Sequence, residues 1–255
     1  MDVPEDLVGA LRRAGCLAAE EEAAELWAAG GQDVPRVDAL IQRRSQGEPL
    51  AWITGRAGFA GLELVVRPGV YVPRWQSEPM ARRAAELLPA TGRALDLCTG
   101  CGALAAVLAA RRPAATILAT DLDETAVACA RANGVDARLG DLDGPVPPGW
   151  AGTVDVLTAV VPYVPAEEMH LLDRDSRAYE PVAALDGGPG GLRFLTEVIR
   201  RVPRWLRPAC GAALLELGGT QAEALAPVLA EAGLAVRDVG RDSDGDVRYL
   251  EAGWA

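Results

Sequence analysis

ALDLCTGCGALA, residues 94–105, is the stretch that decides the fold. Ala94, Leu95 and Leu97 form an apolar run of strand length, Cys98-Thr99-Gly100-Cys101-Gly102 is a loop of small residues, and Ala103–Ala110 is an Ala/Leu-rich helix former. Small residues in such a turn let the backbone approach a ligand closely, and the free N–H groups opening the next helix favour anionic or electron-rich groups. The pattern repeats at once: an apolar strand over 115–119, then Thr120-Asp121, then a helix from Glu124 to Asn133. An acid at the end of the second strand suits a ribose, because one carboxylate can receive both hydroxyls.

Asp96, Cys98, Thr99, Gly100 and Gly102 around the first loop, with Asp121 and Leu122 after the second strand, are therefore the candidate cofactor contacts. A full G-x-G-x-x-G is absent. The missing third glycine and the aspartate just before the loop favour S-adenosylmethionine over a dinucleotide.

Strand and helix signals keep alternating downstream. Strands are expected at 93–97, 115–120, 136–139, 154–160, 211–217, 234–239 and 246–251, with helices between them. This predicts an α/β protein with a Rossmann-like, doubly wound, mostly parallel seven-stranded sheet. The last two strands, joined by the Asp/Gly-rich turn at 241–245, are expected to pair antiparallel at the sheet edge. Ligands of open α/β sheets bind beyond the carboxyl ends of strands, so the loops after Leu97, Thr120, Leu139 and Ala159 should line one crevice. That adds Gly140 and Asp141, the latter placed to receive an adenine amine, and the turn Val160-Val161-Pro162-Tyr163-Val164-Pro165. Prolines stiffen that turn and Tyr163 offers a ring to shape a substrate slot.

Upstream, residues 1–46 show helical periodicity broken near Gly30-Gly31, which predicts two or three short helices in a small N-terminal domain. Residues 47–76 are punctuated by glycine and proline and read as a β-hairpin connector, with Leu62–Val66 as one strand and Val70-Tyr71-Val72 leading into a turn at Pro73. The remaining unit, 77–255, opens with a helix from Ser77, the expected N-cap, to Leu88.

A net charge of −11, with all 25 basic residues arginine, argues against a nucleic-acid partner. No apolar run reaches the roughly 20 residues needed to span a bilayer, so no membrane association is expected. Five scattered cysteines and a start without a basic-then-apolar run predict a reduced, cytoplasmic setting. Cys98-x-x-Cys101 lacks a second Cys pair or a His cluster, the only histidine being His170, so no metal is expected and both cysteines read as small loop residues.

At this point the chain resembles a known family nearly end to end. The catalytic part looks like the class I S-adenosylmethionine-dependent methyltransferases, and the whole is similar to the release-factor glutamine methyltransferases, which methylate a side-chain amide nitrogen. The match rests on the connector with its Pro73, Arg74, Ser77 and Glu78; on Glu180-Pro181; on Ala184-Leu185 and the glycines through Gly191; on Glu216-x-Gly218-x-x-Gln221; and on Asp242, Gly245 and Arg248. The resemblance implies S-adenosylmethionine as cofactor, Val160–Tyr163 as the catalytic turn with Val160 also at the cofactor, and Arg74, Glu78, Pro162, Tyr163 and Glu180 at the substrate.

Two departures stand out. Cys98 replaces a family glycine, which is harmless if that position does not need positive φ. The family's Asn-Pro-Pro-Tyr reads Val160-Val161-Pro162-Tyr163 here, so the asparagine oxygen that receives the substrate amide is missing. Leaving a buried amide N–H unpaired costs roughly 1–3 kcal/mol. The expected function is methylation of a glutamine or related group of a protein or peptide. The alternative is a small metabolite or natural product taken by a reshaped slot, with His170 a candidate base for a hydroxyl. A non-catalytic binder is disfavoured by the retained Asp96, Asp121 and Asp141, and DNA adenine methylation by the charge and the lost asparagine.

Overall fold

Helix α1 (Glu5–Arg13), α2 (Ala19–Ala29) and α3 (Val34–Ser45) open the computed structural model, which describes residues 3–255; Met1 and Asp2 of the expected N-terminal domain lie outside the described residues. Leu7, Leu11, Ala23, Leu26, Val37 and Ile41 bury one another in a core of their own. Asp33 caps α3 by receiving the Arg36 N–H at 3.0 Å. Arg44 closes the bundle from inside, its guanidinium donating to Glu22 at 2.6 and 3.1 Å.

The connector differs from its sequence reading in two ways. A short helix, α4 (Leu50–Thr54), precedes the hairpin, and the hairpin pairs β1 (Arg56–Phe59) with β2 (Leu62–Val65) across a tight turn at Ala60-Gly61. The segment Val70–Val72 is not a strand; the Val70 carbonyl is taken by the indole N–H of Trp52 at 2.9 Å. The hairpin is pinned to the larger unit by Asn133, which receives the Val65 N–H at 2.8 Å and donates to the Val65 carbonyl at 2.9 Å. Ser77 is also not a cap: residues Trp75–Ser77 form a 3-10 turn running straight into α5 (Glu78–Leu87), and the buried Ser77 hydroxyl makes no capping bond.

The sheet follows with β3 (Arg93–Leu97), α6 (Ala103–Arg111), β4 (Thr116–Asp121), α7 (Glu124–Ala132), β5 (Ala137–Leu139), β6 (Val156–Ala159), α8 (Arg174–Tyr179), α9 (Arg193–Trp205), β7 (Ala212–Glu216), α10 (Gln221–Glu231), β8 (Leu234–Arg241) and β9 (Val247–Trp254). Strand order is β5-β4-β3-β6-β7-β9-β8, with β9 antiparallel to both neighbours and the others parallel. This is the seven-stranded, mostly parallel sheet expected from the sequence.

Each face is covered by helices with one apolar stripe. On one side α5 presents Met80, Ala81, Ala84 and Ala85 together with α6, α7 and the hairpin; on the other α9 presents Leu195, Val198, Ile199, Val202 and Trp205 together with α10. The winding reverses between β3 and β6, so the loops after these strands part and leave a crevice at their carboxyl ends.

Candidate active site

The loop after β3 is built by local hydrogen bonds to the next strand. Thr99 N–H donates to the Thr120 carbonyl at 3.0 Å, Gly102 N–H to the Thr99 carbonyl at 2.8 Å, and Gly100 N–H to Asp121 Oδ2 at 2.8 Å. Cys98, Gly100 and Gly102 have φ of 55°, 57° and 84°. The condition under which Cys98 would be harmless is therefore not met: the position is left-handed, and a non-glycine residue there costs about 1 kcal/mol. Burial and the surrounding carboxylates push the Cys98 thiol well above its usual range, and burial raises Cys101 to about 12, so neither is a ready thiolate. Gly102 has no room for a side chain, since a Cβ would lie 3.0 Å from that of Ala130.

Asp96 is buried beneath this loop. Its oxygens receive the hydroxyls of Thr99 at 2.5 Å and Thr158 at 2.6 Å, tying β3 to its own loop and to β6. Burial pushes this carboxyl up to about 6, against the pull of the two hydroxyls.

Asp121 ends β4 with both oxygens partly engaged: Oδ2 receives Gly100 N–H and Oδ1 receives Asp123 N–H at 3.0 Å. Each oxygen keeps a second lone pair. Burial raises its pKa, and the backbone N–H bonds oppose that shift. The carboxylate is thus rigid, and its open lone pairs can receive two hydroxyls of a ribose. Exposed Leu122 supplies an apolar face beside it, and Asp141 an acceptor across the opening. This donor set fits the nucleoside part of S-adenosylmethionine.

Most of these residues line a single cavity of about 740 Å³. It brings together Asp96, Cys98, Thr99, Gly100, Asp121, Leu122 and Asp141 on one side and Val160, Val161, Pro162 and Tyr163 on another, with Arg74 at a third wall. Gly102, Gly140, Glu78 and Glu180 do not reach the surface of the cavity. Gly102 packs against Ala130 of α7 and Val135, and Gly140 is pressed against Pro145, where a Cβ would come within 2.9 Å of the proline ring.

Glu78 and Glu180, expected at the substrate, are engaged within the protein. Glu78 receives the Ala60 N–H of the hairpin turn at 3.0 Å and pairs with Arg82. Glu180, its side chain wholly buried, receives the Val72 N–H at 3.0 Å and the Arg74 guanidinium at 2.6 Å. Arg74 also donates to Ser176 at 3.1 Å and covers the Tyr71 ring. Apart from Arg82, one helical turn from Glu78, their partners lie 18 to 108 positions away, which local spacing does not reveal. His170 lies exposed on a 3-10 turn, outside the cavity lining.

The turn after β6 adds further open hydrogen-bonding capacity to the cavity. Among the described residues no donor reaches the carbonyls of Val160, Val161 or Pro162, whereas the next two carbonyls are used: Tyr163's by Gln221 Nε2 at 2.8 Å and Val164's by Gly187 N–H at 2.9 Å. The Val160 side chain packs against the core around α5 and α6. Free carbonyls in a row accept N–H groups and cannot donate to a hydroxyl or carbonyl oxygen. The sequence reading missed Gln221 and Gly191 as the back of this turn; a Cβ on Gly191 would come within 2.0 Å of the Tyr163 carbonyl oxygen. The spacing Glu216-x-Gly218-x-x-Gln221 was the available signal.

Known proteins to which the chain is similar are methyltransferases. The family described as methyltransferase small domain matches residues 65–141, which contain the loop and Asp121. The release factor glutamine methyltransferase of Geobacter sulfurreducens is 32% identical over 214 residues, covering 83% of this chain and 75% of that protein. That of Pseudomonas aeruginosa is 36% identical over 226 residues, covering 86% of this chain and 81% of the relative. Among solved structures, a ribosomal protein L11 methylase from Lactobacillus delbrueckii subsp. bulgaricus aligns with a TM-score of 0.52 at 17% identity, over 74% of this chain and 83% of that one, a likeness of fold.

Proposed function

The chain belongs to the release factor glutamine methyltransferase family, and from that premise we propose that it methylates the side-chain amide nitrogen of a glutamine presented by a protein. It is an S-adenosylmethionine-dependent methyltransferase. The observation that carries the acceptor assignment is the pair of unengaged carbonyls of Val160 and Val161, two residues of the cavity wall.

The bound cofactor supplies an electrophilic methyl group. Asp121 would hold its ribose, with Gly100 and Leu122 alongside and Asp141 at the base, and Asp96 keeps the loop in shape through Thr99. An amide presents two N–H groups and a nitrogen that is a poor nucleophile. Carbonyl acceptors aimed at those hydrogens orient the nitrogen and raise its electron density, and positioning of this kind accounts for a large part of methyl-transfer catalysis. Tyr163 and Pro162 form the floor against which the side chain rests. In this chain the turn does with backbone atoms alone what an asparagine at position 160 would share.

The N-terminal helices fit a role in gripping the partner protein. Arg44 approaches Asp175 at 3.8 Å and the Tyr179 hydroxyl donates to the Gln46 carbonyl at 3.4 Å, so these helices abut the wall that carries Asp175 and Ser176.

Val160→Asn tests the reading. Restoring a side-chain acceptor is expected to raise kcat/KM on a release-factor glutamine loop by about tenfold, the worth of one hydrogen bond to a buried amide. A second reading, a metabolite lacking an amide, is favoured by the apolar Val160 side chain. It gains if neither protein methylates the glutamine although calorimetry shows that both bind cofactor.

A further inference from the structure

The Tyr163 side chain is held from behind by a residue that does not touch the cavity. Its hydroxyl donates to Glu216 Oε1 at 2.8 Å, and Glu216, at the last position of β7, is 2% exposed. The other carboxyl oxygen, Oε2, is buried with no hydrogen-bond partner among the described residues. Arg74 and Arg248 lie close enough to act on it electrostatically, yet each is committed elsewhere, Arg74 to Glu180 and Arg248 to Asp242. Burying a carboxyl with so few firm bonds is costly, and a residue serving packing alone would be replaced by an apolar one at no loss. Burial pushes the Glu216 carboxyl up, opposed by the Tyr163 and Ser77 hydroxyls.

The main chain of the same tyrosine is held too. Gln221 Nε2 donates to the Tyr163 carbonyl at 2.8 Å and to the Gly190 carbonyl at 2.9 Å, while Gln221 Oε1 receives Gly218 N–H at 3.0 Å. Glu216 and Gln221 thus grip one residue at both ends, from the end of β7 and the start of α10.

We infer that Glu216 is the positioning residue of the acceptor slot: through the Tyr163 hydroxyl it sets the turn whose open carbonyls receive the acceptor N–H. The inference rests on the acceptor reading above for its effect on turnover, and on geometry alone for its effect on Tyr163. Glu216 does not line the cavity, and its removal acts by letting the ring and the turn move. A displacement of the nucleophile by about 1 Å suffices to cost up to a hundredfold in rate.

With cofactor saturating, Glu216→Gln is expected to keep kcat within about threefold of the wild type, since its amide oxygen receives the same hydroxyl. Glu216→Ala is expected to lose at least about tenfold in kcat with KM little changed. Calorimetry is expected to give both variants the wild-type affinity for cofactor. Tyr163→Phe, which breaks the same bond without emptying the site, should lose kcat similarly, and the double variant no more than either alone. Independently of any acceptor, the ¹³C-labelled tyrosine resonance that Tyr163→Phe removes is expected to be displaced in Glu216→Ala and nearly unmoved in Glu216→Gln. An unmoved resonance in Glu216→Ala, additive losses, or a loss explained by weaker cofactor binding overturns the inference. A displaced resonance in a protein that methylates no glutamine supports the inference about Tyr163 and overturns the acceptor reading instead.

Discussion

Glu180→Ala is expected to destabilise the protein by about 3 kcal/mol, read as a lower urea midpoint with an unchanged slope. The side chain is wholly buried and accepts from two places at once, the Val72 N–H and the Arg74 guanidinium. Burial raises its pKa while Arg74 pulls it back, so the pair holds a carboxylate that burial alone would neutralise. Truncation strands the Arg74 charge and leaves a buried backbone N–H without a partner, and the two penalties add. Glu180→Gln keeps an acceptor for Val72 and is expected to cost less than half as much. Because Arg74 lines the cavity, Glu180→Ala is also expected to lower acceptor turnover. A change in stability below about 0.5 kcal/mol, the range of ordinary surface substitutions, would show that the pair does not hold this wall.

Asp121→Ala is expected to weaken cofactor binding by about 1.5–3 kcal/mol, or roughly ten- to 150-fold by titration calorimetry. Two effects combine. The carboxylate that would receive the ribose hydroxyls is lost, and so are the acceptors that hold Gly100 N–H and Asp123 N–H, which shape the loop. Exposed Asp141, with no such scaffold role, is expected to show a smaller loss on replacement by alanine. Wild-type affinity in Asp121→Ala would remove the cofactor assignment from this site.

What was legible in the sequence divides along the range of the interactions. The strands, the loop Cys98–Gly102 and Asp121 are local patterns, and period, small residues and a terminal acid report them directly. The hairpin strand Arg56–Phe59 was not legible because only Phe59 of its four residues is buried, so it lacks apolar alternation. The positive φ of Cys98 was hidden because a side chain other than glycine argues against it. Glu78 and Glu180 were read as substrate contacts because a charged motif residue looks alike whether it faces a ligand or braces a wall. Only the fold shows that Glu180 receives the Val72 N–H and the Arg74 guanidinium. The bond from Tyr163 to Glu216 spans 53 positions, beyond any spacing rule, whereas the glycines at 187 and 191 mark only the close packing behind the main chain of the turn.

The most direct measurement is tandem mass spectrometry of a release factor incubated with the full chain and isotopically labelled S-adenosylmethionine. The label is expected on the side-chain amide nitrogen of a single glutamine, and lost when that glutamine is replaced by glutamate. Label on a hydroxyl or a backbone atom, or none on the protein while calorimetry shows cofactor bound, would contradict the account.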